Sequence, residues 1–95
     1  MAIGMILELR GDPAEMRKIY HAVNAEVNPD GAPAGLILHV AGPTDTGWRI
    51  ADVWESQAAF DTFSKRLFPA AQKHGMKPDS QPLIWAIENT MKARG

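Results

Sequence analysis

Two stretches of helical periodicity lie among four of strand periodicity, in the order strand, helix, strand, strand, helix, strand, and this order constrains the fold of the 95-residue chain most tightly. Residues 2–10 place Ile3, Met5, Leu7 and Leu9 on one side and Ile6, Glu8 and Arg10 on the other, which suits a strand buried on both faces for much of its length. Gly11 ends it. Asp12-Pro13-Ala14-Glu15 then reads as a helix start, with an Asp N-cap, Pro at the first helical position and a Glu placed to reach back. Behind it Met16, Ile19, Tyr20, Val23 and Val27 recur at helical spacing, so the helix runs to about Val27 and buries one stripe.

Asn28 to Pro33 is a turn-rich connector. Leu36 to Ala41 is the second strand, Gly42 to Gly47 a polar turn and Trp48 to Glu55 the third strand, which together make a hairpin. Ser56 caps a second helix carrying Phe60, Phe63 and Leu67, which is expected to kink or restart at Pro69 before Gly75 closes it. A loop with Pro78 and Pro82 leads to a fourth strand, Leu83 to Thr90. The fold class that follows is α+β: a ferredoxin-like βαββαβ unit, with an antiparallel four-stranded sheet and both helices on one face. A single domain over residues 1–95 is expected, with no internal repeat.

A chain this short buries only ~60–65% of its unfolded surface, so pairing with a second copy would add to a thin core. At 45% hydrophobic and 22% charged residues, it has the composition of a folded protein rather than a disordered one. Ten basic residues against eleven acidic ones, with no basic cluster, argue against nucleic acid as a partner. The absence of cysteine excludes disulfides, thiolate nucleophiles and Cys-ligated metal. The apolar start reaches Glu8 and Arg10 too soon for a signal peptide or a membrane span, so no membrane association and a cytoplasmic location are expected.

Two helices cover only one side of a four-stranded sheet, yet neither set of alternate positions is polar enough for a solvated face. Pairing the second and third strands around a turn at Thr44 to Gly47 sets Leu38 opposite Val53 and Val40 opposite Ala51, a compact apolar set suited to lie under the helices. The same register sets His39 opposite Asp52, Ile37 opposite Trp54 and Ala41 opposite Ile50 on the other face. Exposing that second face would leave an apolar patch, so a second protomer is expected to close over it and enclose a cavity.

Val53-Trp54-Glu55-Ser56, followed by Ala59 and Phe60, resembles the passage from third strand to second helix in the antibiotic biosynthesis monooxygenase family. The segment Gly35 to Pro43, followed by Gly47-Trp48-Arg49-Ile50, is similar to small members of that group, and the element order agrees over nearly the whole chain. The resemblance implies a homodimeric α+β barrel. In the family's cofactor-independent oxygenases of aromatic polyketides, a His on strand 2 and the Trp of this segment line the cavity, and His39 and Trp54 match them. That pattern also has an Asn four residues before the Trp and a Tyr six after it, where this chain has Ile50 and Phe60. The haem-degrading branch uses an Asn on strand 1, with a Trp and an axial His on helix 2. Here strand 1 has no Asn, and the latter two fall on Phe63 and near Gln72, so no haem and no other cofactor is expected.

The expected site therefore has His39 as general base and Asp52 as its orienting partner, with Trp54, Ile37, Ile50 and Phe60 binding the ligand. Trp85 is assigned to packing, Tyr20 to the core with its hydroxyl at the rim, and His21 and His74 to the surface. Neither surface histidine has a neighbour at ligand spacing, so no metal is expected. The function so read is the handling of a small hydrophobic or aromatic molecule, with cofactor-independent monooxygenation as the activity the resemblance implies. The alternatives are a non-catalytic ligand-binding or accessory protein, and a lyase or isomerase using the same His.

Overall fold

A computed structural model describes residues 1–78 and 81–93. Its elements are β1 (Ile3–Arg10), α1 (Pro13–Val27), β2 (Leu36–Thr44), β3 (Gly47–Trp54), α2 (Gln57–Lys73) and β4 (Leu83–Ala86). The strands form one antiparallel sheet in the order β2-β3-β1-β4, as the ferredoxin-like reading requires. The helix starts are the expected ones. Asp12 accepts from the Glu15 amide at 3.1 Å, and Ser56 accepts from the Ala59 amide at 3.1 Å, each satisfying a donor the first turn leaves open.

Three features depart most from the expectation. The α2 helix runs through Pro69 without interruption, because Pro69 and Lys65, whose carbonyl it leaves unpaired, both face solvent. It ends at Lys73 with His74 as its C-cap and Gly75 in the left-handed region, and the Met76 amide bonds the Ala71 carbonyl at 2.8 Å. The β2 strand extends through Pro43 to Thr44, which an edge strand tolerates because a missing N–H costs no ladder bond there. The β4 strand stops at Ala86 rather than Thr90. Positions 79 and 80 of the expected loop lie outside the described residues.

The cross-strand pairs of the hairpin are those expected from His39 onward: His39 faces Asp52, Val40 faces Ala51 and Ala41 faces Ile50. Leu38 also meets Val53, but a bulge then inserts Ile37 as an extra residue, and Leu36 takes the place opposite Trp54 that the sequence assigns to Ile37.

The faces, however, are reversed. Ile3, Met5, Leu7 and Leu9 pair with Trp54, Asp52, Ile50 and Trp48, and this set lies buried beneath the helices. Trp54 packs on Phe60 and Phe63 of α2, with ring centroids 5.8 and 5.3 Å away. His39 reaches Tyr20 of α1. The expected cavity between two copies, lined by His39 and Trp54, is therefore corrected to a space within one protomer. Pairing two strands says which residues share a face, but not which face the helices cover. That is set by the right-handed crossover from β1 through α1 to β2, and bulky Trp48, Ile50 and Trp54 fill the deeper space it creates.

The opposite face carries Leu38 and Val40, 55% and 52% exposed, beside Ile6, Ala51 and Val53. The Trp85 ring lies on the same face against Gly4, where a Cβ would sit 2.3 Å from it. Arg49 pairs with Glu8 at the end of this face. At the far ends of the helices, Glu26 of α1 takes hydrogen bonds from His74 at 3.0 Å and Lys73 at 3.1 Å, tying α1 to the end of α2. These two bonds, His74 foremost, hold the Glu26 carboxyl below the usual carboxylate range.

Candidate functional site

The site begins with a buried carboxylate. Asp52 sits on the helix side of β3, and its side chain is only 5% exposed. Such a charge persists only if its oxygens are engaged. Both are: Oδ1 meets His39 Nδ1 at 2.6 Å, and Oδ2 accepts from Trp54 Nε1–H at 3.1 Å. Asp52 and Trp54 share a face because they are two residues apart on one strand, and His39 arrives because β2 pairs with β3 in this register.

On its other side the imidazole meets the hydroxyl of Tyr20, through Nε2. The two rings lie nearly parallel, 9° apart, and Tyr20 also packs on Trp48 at 5.2 Å. The result is a continuous chain of hydrogen bonds, Tyr20–His39–Asp52–Trp54, running from α1 across two strands. Burial, and then the nearby charge of Asp52, holds the Tyr20 phenol above its ordinary value of 10.0. Below that pH the phenol is neutral both folded and unfolded. Above it the unfolded chain ionises first and binds fewer protons, so stability falls as pH rises from about 10. The drop in urea midpoint between about pH 8 and about pH 11 is expected to be smaller in Tyr20→Phe than in the parent. Equal drops would show that the phenol does not feel this environment.

This chain of bonds forms part of the wall of a cavity of about 280 Å³ between the sheet and the helices. Most of its lining is apolar, with Ile50 and Trp54 from β3, Leu36 from β2, Val23 and Val27 from α1 and Phe63 from α2. The volume lies just below the range of small-molecule sites, which starts at about 300 Å³. Of the six residues the sequence assigns to the site, the structure brings His39, Asp52, Ile50 and Trp54 to this cavity. Phe60 is buried behind Trp54 and Ile37 is 61% exposed; neither is on the wall.

Tyr20 is the residue that sequence reasoning passes over. Its place on the buried stripe of α1 assigns it to the core. The signal that promotes it is the same crossover that reverses the faces: with His39 under α1, a lone tyrosine on that stripe is placed to meet it. Among the described residues, no group of three His, Cys, Asp or Glu side chains is arranged to hold a metal ion. No helix among them is long and apolar enough to cross a membrane.

No protein-family model matches the chain, and no curated protein matches it in sequence. Solved structures do match in fold. A Chloroflexus aurantiacus protein provisionally assigned as an antibiotic biosynthesis monooxygenase superposes with a TM-score of 0.72 at 14% identity, covering 97% of this chain and 98% of that one. A mutant of SnoaB, a cofactor-independent oxygenase from Streptomyces nogalater, gives 0.65 at 16% identity, over 97% and 96% of the two chains. A dimeric ferredoxin-like protein from an uncultured marine organism gives 0.58 at 8% identity, over 97% and 92%. Over nearly its whole length, the chain thus has the ferredoxin-like α+β fold found in antibiotic biosynthesis monooxygenase-like proteins.

Proposed function

We propose that the protein binds a small hydrophobic or aromatic molecule in the cavity between helices and sheet, and oxidises it with dioxygen as a cofactor-independent monooxygenase. The observation that carries this reading is the Asp52–His39 pair at the cavity wall, a buried carboxylate holding an imidazole beside apolar surface. Removing a proton from a phenol or an activated methylene leaves an electron-rich anion that dioxygen can oxidise. Overall, one methylene and one dioxygen give one carbonyl and one water: the methylene carbon loses its two hydrogens and gains one oxygen atom, and the second oxygen atom leaves with those hydrogens. The change balances without a further reductant. Ile50 and Trp54 supply the apolar wall for the ring system. The oxygenase of similar fold lends support, as a protein named for this kind of activity.

A non-catalytic binding protein is the second reading, favoured by Ile50 and Phe60 standing where the resembling oxygenases have an amide and a phenol. Dioxygen uptake on a hydroxylated anthrone separates the two. Catalysis predicts one dioxygen consumed per quinone formed, with a loss of about 100-fold or more in His39→Ala. Binding of the anthrone without uptake would leave only the second reading.

The same proposal includes a homodimer formed through the open sheet face. Leu38, Val40 and Trp85 are exposed large apolar groups there, which two facing sheets would bury. Sedimentation equilibrium of Val40→Glu is expected to give a monomer where the parent gives a dimer. A parent that is monomeric at tens of micromolar would remove this part of the proposal.

A further inference from the structure

The imidazole is not the only polar group a ligand meets in this cavity. An ionised Asp52 can only accept hydrogen bonds, so the proton between it and His39 belongs to Nδ1, and in the neutral imidazole Nε2 then keeps its lone pair. The partner of Nε2 is the Tyr20 hydroxyl, which therefore donates to it. Both ring nitrogens are thus engaged, as are both oxygens of Asp52. Asp52 keeps further lone pairs, but its side chain is only 5% exposed; the Tyr20 oxygen is the acceptor at the exposed end of this hydrogen-bonded chain, and Tyr20 lines the cavity. We infer that Tyr20 is a catalytic residue: its phenol oxygen contacts the substrate and passes the substrate's proton on to His39.

This inference rests on the proposed function above, and gives the site its acceptor and its substrate class, a hydroxylated aromatic. In the step, the substrate O–H bond breaks and its proton forms a new O–H bond with Tyr20, while the original Tyr20 proton moves to His39 Nε2. The products are a substrate phenolate, a neutral Tyr20 and an imidazolium paired with Asp52, so charge and protons balance and no electron moves. Burial and the charge of Asp52 keep Tyr20 protonated beforehand, which suits a relay rather than a standing base. Its ring packs on Trp48 and against the buried core.

Two probes test it: 7-hydroxycoumarin, and 7-methoxycoumarin, which has no proton to give. The parent protein is expected to bind the hydroxyl compound about tenfold more tightly than the ether. In Tyr20→Phe the preference is expected to fall to about one, with the affinity for the ether little changed, because a phenyl ring keeps the packing. In 15N spectra of the parent, the hydroxyl compound is expected to move His39 Nε2 to an imidazolium position, and to leave it unmoved in Tyr20→Phe. Retention of the preference in Tyr20→Phe would overturn the inference, since another group would then hold the phenol. An Nε2 that stays unprotonated in the parent would overturn the relay. If both coumarins bind the parent equally, only the Tyr20 role falls. If neither binds it, the cavity reading falls as well.

Discussion

Asp52→Asn is expected to break the hydrogen-bond chain at its centre or to reverse its direction, depending on which way the new amide turns. Both carboxylate oxygens accept from donors, His39 Nδ1–H and Trp54 Nε1–H, and an amide offers only one acceptor. If the amide oxygen faces His39, its amino group is set against the indole N–H and a buried donor goes unpaired. If it faces Trp54, its amino group donates to Nδ1, and the imidazole proton moves to Nε2. The ring then donates to Tyr20 instead of accepting from it. The expected stability loss is about 1–3 kcal/mol in urea denaturation, and 15N spectra of His39 should show a substantial Nε2–H population. Dioxygen uptake on the anthrone should fall by about 100-fold to 10,000-fold, the range over which a positioned acid–base group acts. A variant that keeps both the parent tautomer and the parent stability would mean that Asp52 does not orient His39.

The largest loss of stability is expected from Trp54→Ala. The indole is 1% exposed and packs on Phe60 and Phe63 from α2, while its N–H satisfies one oxygen of the buried Asp52. Removing it opens a cavity the size of an indole and leaves that oxygen without its donor. The packing loss alone is about 3–5 kcal/mol. Small domains have about 5–15 kcal/mol in total, so the variant should be largely unfolded at moderate urea. The change in urea midpoint, at one protein concentration for both chains, measures it. A cost below about 1 kcal/mol would contradict the packing of α2 against this ring.

These two effects bear on how much of the site is legible before the fold is known. His39, Asp52, Trp54 and Ile50 are identifiable because strand pairing around a two-residue turn is a local matter, and Leu38 through Ala41 find their partners as pattern alone requires. Ile37 is misplaced because a bulge changes the count by one residue without leaving a mark in hydrophobic alternation. Phe60 is expected on the ligand wall by resemblance. A helix rotated to bury Phe60 and Phe63 together places the first of them behind Trp54 instead.

From the residues alone come the element order, both helix caps, the hairpin pairing and the carboxylate beside the imidazole, since each depends on neighbours in the chain or on a short turn. Only the tertiary structure decides that this pair lies under the helices and that Tyr20 joins it. The physical reason is that the two faces of a sheet with apolar residues on both sides look alike to any local rule. The handedness of the crossover, which appears only when β1, α1 and β2 are assembled in space, separates them.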